Sequence, residues 1–285
     1  MPISADNVRS LHAYDIRVLR SLEYLMRRYQ WVPEDVLRAN TKFSESELAY
    51  RLRRLIDRGM VRSGDVSYGG FTLVFGGYDA LALTTLTERG SVRALGSLIG
   101  VGKESEVYEG LGLSPLVLKF HRIGQRSFQA VRVERGYMPD EGHVPWIFAS
   151  ARSAEREFEA LKRLHPRVRV PLPIDRSRHV VAMAELNGPN LNRCVLEDTA
   201  AAFDDILHQV QKAYASGVVH ADLSEFNVIV WDGSCWLIDW PQWIPRDHPN
   251  ALDYLRRDVK NVVEYFSRKY GLDCPLDNAM ARVVG

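Results

Sequence analysis

The sequence has few cysteines, no long apolar run and no excess of either charge. Its 285 residues include three cysteines, at 194, 235 and 274, without a Cys-x-x-Cys spacing, so neither a disulfide framework nor a cysteine zinc site is expected. No apolar run approaches the ~20 residues that span a bilayer, and the charged N-terminal segment has no signal-peptide core. The 37 basic and 36 acidic residues leave a net charge of +1, which steers the whole molecule toward neither nucleic acid nor membrane. We therefore expect a cytoplasmic protein without membrane contact.

The first 85 residues have the pattern of three helices followed by a β-hairpin. Apolar residues recur at helical spacing over 15–29, and Val32-Pro33 opens a second short helix. The sequence Ser44-Glu-Ser-Glu47 has the form of a capping box and starts a third helix over 45–58. Two strands, at 60–62 and 70–75, flank a turn-rich segment. This order is typical of a winged helix.

The outward face of the predicted third helix carries four arginines: Arg51, Arg53, Arg54 and Arg58. In winged helices that bind nucleic acid this helix enters the major groove, and basic side chains neutralise phosphates. We expect such contact through Arg51, Arg54 and Arg58; the alternative is a solvated face on a protein-contact module. A further helix is predicted over 79–88, between the winged helix and the second region. We therefore place the winged-helix domain at 1–85 and a linker helix at 86–95.

The second region contains strands followed by helices, an order that predicts an α+β fold. Strands are predicted at 96–100, 106–110, 116–120 and 180–185, and a helix is predicted at 150–164. The rest of the chain is mainly helical apart from a strand pair at 228–231 and 236–238.

Two glycines lie between the first two strands of this region. Without a Cβ, such residues let backbone N–H groups approach phosphate oxygens closely. The alternative is a plain hairpin turn. The predicted phosphate loop comprises Gly100, Gly102, Lys103, Glu104, Ser105 and Val107.

A lysine, Lys119, stands in the otherwise apolar strand 116–120. Lysine is rarely buried without a partner. We expect its ammonium to contact the α- and β-phosphates of a nucleotide and to be held by a helix glutamate. The acidic run 153–159 supplies that glutamate; Glu157 is the first choice because of its place beside the apolar face, and Glu155 is the second. The alternative is a solvated charge run.

Two motifs near the C-terminal end combine an amide and two carboxylates. Asp222 and Asn227 lie five residues apart in His220-Ala-Asp-Leu-Ser-Glu-Phe-Asn227, and Asp239 follows the second strand of the hairpin. This set suits metal-assisted phosphoryl transfer: Asp222 would orient or deprotonate a nucleophile, while Asn227 and Asp239 would hold Mg²⁺. Each residue alone could be a turn or cap residue, but the ordered set is much more specific.

Together these motifs resemble the protein-kinase signature. The departures are Ser105 for the third loop glycine, Ala221 for the middle arginine of the catalytic motif, and Trp240-Pro241 after the metal aspartate; only 46 residues follow Asp239. A shortened kinase domain with Gly-x-Gly-Lys-Glu-Ser, His-x-Asp-Leu-Ser-x-x-Asn and Ile-Asp-Trp-Pro-Gln resembles the RIO family of atypical serine/threonine kinases. The preceding winged helix resembles the second RIO subfamily, of archaeal type. The resemblance covers essentially the whole chain, although RIO enzymes usually have glycine where Ala221 stands.

The resemblance implies a bilobal kinase-like domain at 96–285, with an N-lobe at 96–183 and a C-lobe at 187–285. It implies ATP and Mg²⁺ as cofactors, with Mn²⁺ as an alternative ion. RIO members act in maturation of the small ribosomal subunit, so the implied partner is a pre-small ribosomal subunit, through its rRNA or its proteins. They are described as ATPases at least as much as kinases.

The resemblance also assigns roles to individual residues. Phosphorylation of the metal-site aspartate has been proposed for the second subfamily, which points to Asp239. RIO proteins carry a loop where residues 121–150 lie here, often with an autophosphorylated serine, and Ser127 is the candidate.

Further positions are assigned from spacing and from kinases in general. Met183 would be the gatekeeper, and backbone groups of Ala184 and Leu186 would pair with the adenine edge. Ser105 would donate its hydroxyl to a phosphate. Asp258 would bond backbone N–H groups of the catalytic loop.

Two other functions stay open at this point. The chain could be an ATP-binding assembly switch with little turnover, or a winged-helix nucleic-acid regulator with a degenerate second domain. The intact set of predicted nucleotide and metal residues favours the enzyme.

Overall fold

The computed structural model describes residues 3–64, 66, 69–124 and 146–285, except for the side chain of Trp146. These residues form two compact units. The first unit contains the described residues up to Ala154 together with Asp175–Ala182, and the second contains Glu155–Ile174 and Met183–Gly285. Within the described ranges, no helix combines the length and apolar content needed to cross a bilayer.

The first unit begins with the predicted winged helix, preceded by one short helix. Its elements are α1 (Ala5–Arg9), α2 (Ala13–Leu25), β1 (Val32–Pro33), α3 (Glu34–Thr41), α4 (Glu45–Asp57), β2 (Val61–Gly64) and β3 (Gly70–Leu73). The three strands form an antiparallel sheet in the order β1-β3-β2. The prediction that Val32 opens a helix was wrong, because Val32 and Pro33 pair with Phe71 and Gly70, and α3 begins after them.

The helix α4 is fixed at its start by the predicted cap. The Ser44 hydroxyl accepts a hydrogen bond from the Glu47 N–H at 3.2 Å, which satisfies a donor that the helix itself leaves without a partner. The buried face of α4 presents Leu48, Leu52 and Leu55, as the periodicity predicts, and these pack in one core with α2.

The next helix, α5 (Phe75–Glu88), begins four residues earlier than the sequence predicts. A Cβ at Gly76 would lie 2.6 Å from the carbonyl oxygen of Gly59, so only glycine lets the helix start so close to that turn. Position 85, the predicted end of the winged-helix domain, therefore falls inside α5. Residues 86–95, which were expected to form a linker helix, include the end of α5 and the start of a strand.

The helix α5 belongs to two hydrophobic cores at once. Tyr78 and Leu81 pack into the core of the winged helix, whereas Leu83 and Leu86 pack against the following sheet. That sheet has the order β4-β5-β6-β8-β7. Its strands are β4 (Ala94–Val101), β5 (Ser105–Leu111), β6 (Pro115–His121), β7 (Pro173–Ser177) and β8 (Val180–Ala184), and the helix α6 (Trp146–Leu164) lies between β6 and β7 in the chain.

A buried polar network joins α5 to this sheet. The Arg122 guanidinium, just after β6, donates to both carboxylate oxygens of Asp79 on α5, with Nη2–Oδ2 at 2.9 Å. It also contacts Glu106 on β5, with Nη2–Oε2 at 2.9 Å. The Nε2 atom of His179 lies 2.7 Å from Asp79 Oδ1, and its ring stacks on Tyr78 with centroids 4.7 Å apart.

The network carries defined charges near neutral pH. Burial by itself raises the pKa of Asp79, but hydrogen bonds and charge from His179 and Arg122 outweigh it and hold that pKa below its usual value. Burial lowers the pKa of His179, so its imidazole is neutral and donates through Nε2–H. The buried charge on Arg122 is therefore balanced by carboxylates from two different elements.

The second unit is mainly helical. After the C-terminal half of α6 it contains α7 (Thr199–Ala215), β9 (Val218–Val219), β10 (Val228–Trp231), β11 (Ser234–Leu237), β12 (Ile244–Pro245), α8 (Ala251–Tyr270) and α9 (Leu276–Val284). The strands β10 and β11 form the predicted hairpin, and β9 pairs with β12. Phe203 on α7 packs edge-on against Phe266 on α8, with ring centroids 5.3 Å apart.

We expect Asp79→Asn to lower the free energy of unfolding by about 3 kcal/mol, because it leaves a buried arginine with reduced compensation. Urea unfolding at pH 7 measures the change. Asp57→Asn is the matched control, since Asp57 is exposed at the end of α4 and its neutralisation should change the free energy by less than about 0.5 kcal/mol. Equal losses in the two variants would contradict a stabilising role for the network.

Candidate functional site

The predicted phosphate loop comprises the end of β4, the connection at 102–104 and the start of β5. It is closed by a hydrogen bond from the Gly102 N–H to the Ser105 carbonyl at 2.8 Å. A Cβ at Gly102 would lie 3.2 Å from the Ser105 hydroxyl, so a side chain there would crowd the loop. The Glu104 carbonyl accepts from the Arg122 N–H at 2.6 Å, which fixes the loop to the end of β6. The loop is thus exposed at its tip and held at its base.

Lys119 lies on β6 opposite Val107 on β5. Side chains alternate along a strand, and its neighbours Leu118 and Phe120 pack toward α5. Lys119 and Val107 therefore face the other side of the sheet, and only 8% of Lys119 is exposed. Lys119 is therefore a buried basic residue on the strand paired with β5, and its contact with phosphate oxygens stays a prediction.

The two candidate glutamates differ in burial. Glu157 on α6 is 1% exposed, whereas Glu155 is half-buried. Burial therefore favours Glu157 as the specific carboxylate, in agreement with the first choice from sequence. Glu157 belongs to the second unit and Lys119 to the first, so their pairing stays a prediction.

The chain around Asp222 is held by a buried carboxylate from α8. Asp258 Oδ2 accepts from the Ala221 N–H at 2.7 Å, and Oδ1 accepts from the Leu223 N–H at 3.0 Å. The Asn261 amide donates to the Leu223 carbonyl at 2.9 Å. Ala221 and Leu223 are buried while Asp222 between them is exposed, so these bonds present the Asp222 carboxylate outward. The predicted role of Asp258 is confirmed.

Holding the loop in this way carries an electrostatic penalty. Burial raises the pKa of Asp258 to about 6, although the charge of His220 and the N–H groups of Leu223 and Ala221 oppose the rise. The carboxylate is nevertheless the acceptor that two adjacent backbone donors require.

Ala221 adopts a left-handed backbone conformation, with φ of 64°. A non-glycine residue is strained there by roughly 1–2 kcal/mol. The bonds from Ala221 N–H to Asp258 and from the Arg257 guanidinium to the Ala221 carbonyl hold it in place. This geometry explains why glycine suits the position and why alanine is tolerated.

The hairpin β10–β11 positions the second aspartate. The Ile238 N–H donates to the Asn227 carbonyl at 3.0 Å, so Asp239 follows directly from a residue bonded to Asn227. The Ile238 carbonyl lies 3.0 Å from His220 Nε2. On the other side of Asp239, Trp240 is fully buried and its ring centroid lies 4.4 Å from that of His220. Both neighbours of Asp239 are thus anchored.

The residues at the ends of this hairpin fit a magnesium ion. The Asn227 amide nitrogen donates to the Asp222 carbonyl at 2.8 Å, which leaves Asn227 Oδ1 as the oxygen that can bind a cation. Within the described residues, no group of three or more His, Cys, Asp or Glu side chains could hold a metal. A pair of oxygen ligands from Asn227 and Asp239 suits Mg²⁺, which keeps several waters and binds substrate phosphates as well.

The predicted hinge residues come after β8 or at its end. Met183 is 6% exposed. The Ala184 N–H donates to the Leu172 carbonyl at 2.9 Å, so the adenine contact predicted for Ala184 is restricted to its carbonyl. Leu186 is half-buried, and its adenine contact stays a prediction.

Comparison with known families and structures identifies the family of this chain. A family model described as the RIO domain matches residues 106–279, and one described as the Rio2 N-terminal domain matches residues 8–89. The chain belongs to the Rio2 branch of the RIO kinases. It is 42% identical over 258 residues to the RIO-type serine/threonine-protein kinase Rio2 of Methanocaldococcus jannaschii, which covers 87% of this chain and 94% of that protein.

Other Rio2 proteins extend the similarity. The serine/threonine-protein kinase rio2 of Schizosaccharomyces pombe is 34% identical, over 92% of this chain and 78% of that one. The crystal structure of the Rio2 kinase-ADP/Mg²⁺-phosphoaspartate complex from Chaetomium thermophilum superposes with a TM-score of 0.83 at 29% identity, covering 99% of this chain and 89% of that one. The expected winged helix followed by a kinase-like domain is therefore confirmed.

The arginines of the Rio2 N-terminal domain do not all face outward as predicted. Only 11% of the Arg51 side chain is exposed; its Nε lies 2.6 Å from Glu47 and its Nη1 lies 3.3 Å from the fully buried Asp15. Arg54 also pairs with Asp15, at 3.3 Å. Arg51 therefore stabilises the domain, because a buried carboxylate needs a counter-charge. Nucleic-acid contact by Arg54 and Arg58 stays a prediction.

Sequence reasoning missed two supports of the Rio2 site. The network of Asp79, Arg122 and His179 has no local pattern, since its members are far apart in the chain. Arg257 and Asn261 lie next to the buried Asp258 on α8, and polar residues near a buried carboxylate on an amphipathic helix are a signal that could have found them. Ser127, the candidate autophosphorylation site, lies outside the described residues.

We expect Ala221→Gly to raise the free energy of unfolding by about 0.5 kcal/mol, because relief of the left-handed strain slightly exceeds the added backbone entropy of glycine. Ala281→Gly, in the exposed part of α9, should lower it by roughly 0.5–1 kcal/mol. Urea unfolding of both variants tests this contrast; equal losses would show that position 221 carries no strain.

We expect Asp258 to make stability depend on pH. Its folded pKa of about 6 lies above the ~3.9 of a free aspartate, so its contribution is full below about pH 4 and is lost as the pH rises through 6. The loss approaches about 3 kcal/mol, since each pKa unit corresponds to about 1.4 kcal/mol. The measurement is the difference in unfolding free energy between wild type and Asp258→Asn from pH 4 to 7.5. A difference that does not change with pH would contradict the raised pKa.

Proposed function

We propose that this chain is a cytoplasmic, ATP- and Mg²⁺-dependent atypical serine kinase and ATPase. The observation that carries the proposal is the catalytic loop of the second unit, where Asp258 presents Asp222 outward and the hairpin anchors Asn227 and Asp239 next to it. The first unit supplies the glycine loop and the buried Lys119. These are the parts that phosphoryl transfer needs.

Each predicted group would contact one part of the nucleotide. Backbone N–H groups of the phosphate loop and the Lys119 ammonium would neutralise the phosphates. The adenine edge would pair with the Ala184 carbonyl and the Leu186 N–H, beside the Met183 side chain. Asn227 Oδ1 and the Asp239 carboxylate would hold Mg²⁺, or Mn²⁺ as an alternative, which supplies charge neutralisation on the phosphates.

We propose that the Asp239 carboxylate itself receives the phosphoryl group. An oxygen of Asp239 forms a bond to the γ-phosphorus as the bond to the β-phosphate oxygen breaks and ADP leaves. Water, oriented by Asp222, then attacks the acyl phosphate and gives its proton to Asp222, which releases phosphate and regenerates Asp239. The phosphoaspartate in the Chaetomium thermophilum Rio2 complex supports this route.

We further propose that the chain acts on the pre-small ribosomal subunit. This proposal is supported by membership of the Rio2 branch, since RIO enzymes act in maturation of that particle.

We expect acid-quenched reactions with [γ-³²P]ATP to leave label on the wild-type chain that hydroxylamine releases, as for an acyl phosphate. Asp239→Asn should abolish this label, and Asp222→Asn should lower ATP turnover by about 10²–10⁴-fold. EDTA should abolish both signals because phosphoryl transfer requires the cation.

Asp232→Asn is the matched control, because Asp232 is exposed at the tip of the same hairpin with φ of 49°, a conformation that asparagine also accepts. It should retain both label and turnover. Ser127→Ala should retain the hydroxylamine-labile label. Labile label on folded Asp239→Asn, or wild-type turnover by folded Asp222→Asn, would refute the assigned roles.

A further inference from the structure

The segment after Asp239 is held by an arginine of α6. The Arg156 guanidinium donates from Nε to the Pro241 carbonyl at 3.1 Å and from Nη2 to the Trp243 carbonyl. Conversely, the Trp243 indole N–H donates to the main-chain carbonyl of Arg156 at 2.8 Å. These residues all belong to the second unit. The three bonds are termed the Arg156–Trp243 clamp below.

The clamp depends on the shape of the guanidinium group. Its N–H donors are fixed in one plane, so Arg156 can bond two carbonyls of one segment at once, which a lysine ammonium does without a defined fork. The guanidinium also lies over the Trp243 ring, 5.4 Å from its centroid. Arg156, Pro241 and Trp243 are all partly buried, so water competes less for these bonds than it does at an open surface.

Asp239 has a backbone conformation that needs such support. Its φ of 66° lies in the left-handed region, which is unfavourable for a residue with a Cβ, although aspartate accepts it better than most. A strained residue keeps such a conformation when the chain on both sides of it is fixed. Before Asp239, the N–H and the carbonyl of Ile238 are both bonded. After it, the Trp240 indole donates to the Leu237 carbonyl at 3.1 Å, and the clamp fixes the residues that follow.

The backbone at 239 decides where the carboxylate lies, because aspartate has a short side chain with only two torsion angles. The clamp bonds the chain two and four residues beyond Asp239, at Pro241 and Trp243. Pro241 has no N–H, so its carbonyl is the main-chain group through which a neighbour can hold it. Arg156 therefore controls the conformation of the segment that Asp239 begins.

A second arginine of α6 contacts the same indole ring in a different way. Arg163 lies about two helical turns after Arg156, and its guanidinium is 5.9 Å from the Trp243 ring centroid. The hydrogen bonds to the Pro241 and Trp243 carbonyls come from Arg156 instead. The pair thus separates the effect of a cation over the ring from the effect of the clamp.

We propose that Arg156 is a positioning residue for the magnesium site. Through the clamp it keeps Asp239 in the backbone conformation from which the carboxylate can share a cation with Asn227 Oδ1. The inference rests on the proposed function, because it takes Asp239 and Asn227 as the ligands of the ion. It gives α6 a role at the metal site besides the one predicted for Glu157.

The test is calorimetric titration of the full chain with ADP, at saturating Mg²⁺ and again in EDTA. The ratio of the two Kd values is the factor by which the cation tightens ADP binding, and we expect Mg²⁺ to lower the Kd of the wild type. In Arg156→Lys, which keeps the charge and loses the fork, this factor should fall about fivefold or more. The Kd in EDTA should change by less than about twofold. A merely structural role would raise both Kd values together and leave the factor unchanged.

A milder variant tests the other half of the clamp. Trp243→Phe removes the indole N–H and keeps an aromatic ring, so it should lower the factor by about twofold to threefold. The double variant Arg156→Lys/Trp243→Phe should lose little more than Arg156→Lys alone, since the bonds act together. Arg163→Lys is the matched control, because it makes the same change on the same helix and over the same ring. It should keep the wild-type factor.

Thermal melting verifies that each variant is folded. A wild-type factor in folded Arg156→Lys, or an equal loss in Arg163→Lys, would overturn the inference and leave the proposed function standing. If Arg156→Lys does not fold, Trp243→Phe decides, and a wild-type factor in that variant would overturn the inference. A wild type whose ADP binding is not tightened by Mg²⁺ would instead refute the metal site of the proposed function, and the inference with it.

Discussion

The two hydrogen bonds that Asp258 accepts from the backbone on either side of Asp222 are the interaction on which the second unit's site depends. A loop has no hydrogen-bond ladder of its own, so an outside acceptor must fix its conformation. A carboxylate can accept from two adjacent N–H groups at once, and α8 brings it there within a rigid helix. The penalty is the raised pKa of Asp258, which burial imposes. The site thus gives up some stability for the orientation of one exposed carboxylate.

The same loop sets the position of the hairpin. His220 contacts the Ile238 carbonyl, and the Ile238 N–H donates to Asn227, so both ends of the catalytic loop are bonded to the residue before Asp239. Trp240, buried against His220, fixes the residue after it. Two candidate metal ligands at the open end of the hairpin, Asn227 before its first strand and Asp239 after its second, are therefore placed by backbone bonds of their neighbours. Such support is what keeps a small cation site in register.

In the first unit, α5 packs against both the winged helix and the sheet that follows it in the chain. Its two faces serve two cores, and Asp79 pairs with Arg122 next to the strand that follows the phosphate loop. The winged helix and the sheet thus share α5 and belong to the same compact unit. Internal pairing has a second consequence: Arg51 on α4 is paired with the buried Asp15, whereas the Arg20 and Arg89 side chains are about half exposed. An arginine in a sequence can therefore bind a ligand only where the fold does not pair it with a buried carboxylate.

The sequence by itself predicted the site and the order of its residues: the glycine loop, Lys119, Asp222, Asn227 and Asp239 are readable because their types and spacings form a family signature. It also determined the winged helix, whose periodicity and caps are local signals. Only the tertiary structure decided that Gly76 lets α5 start early, that the Ala184 N–H is already bonded, and that Arg156 bonds the segment after Asp239. These depend on contacts between residues far apart in the chain, and no local spacing encodes them.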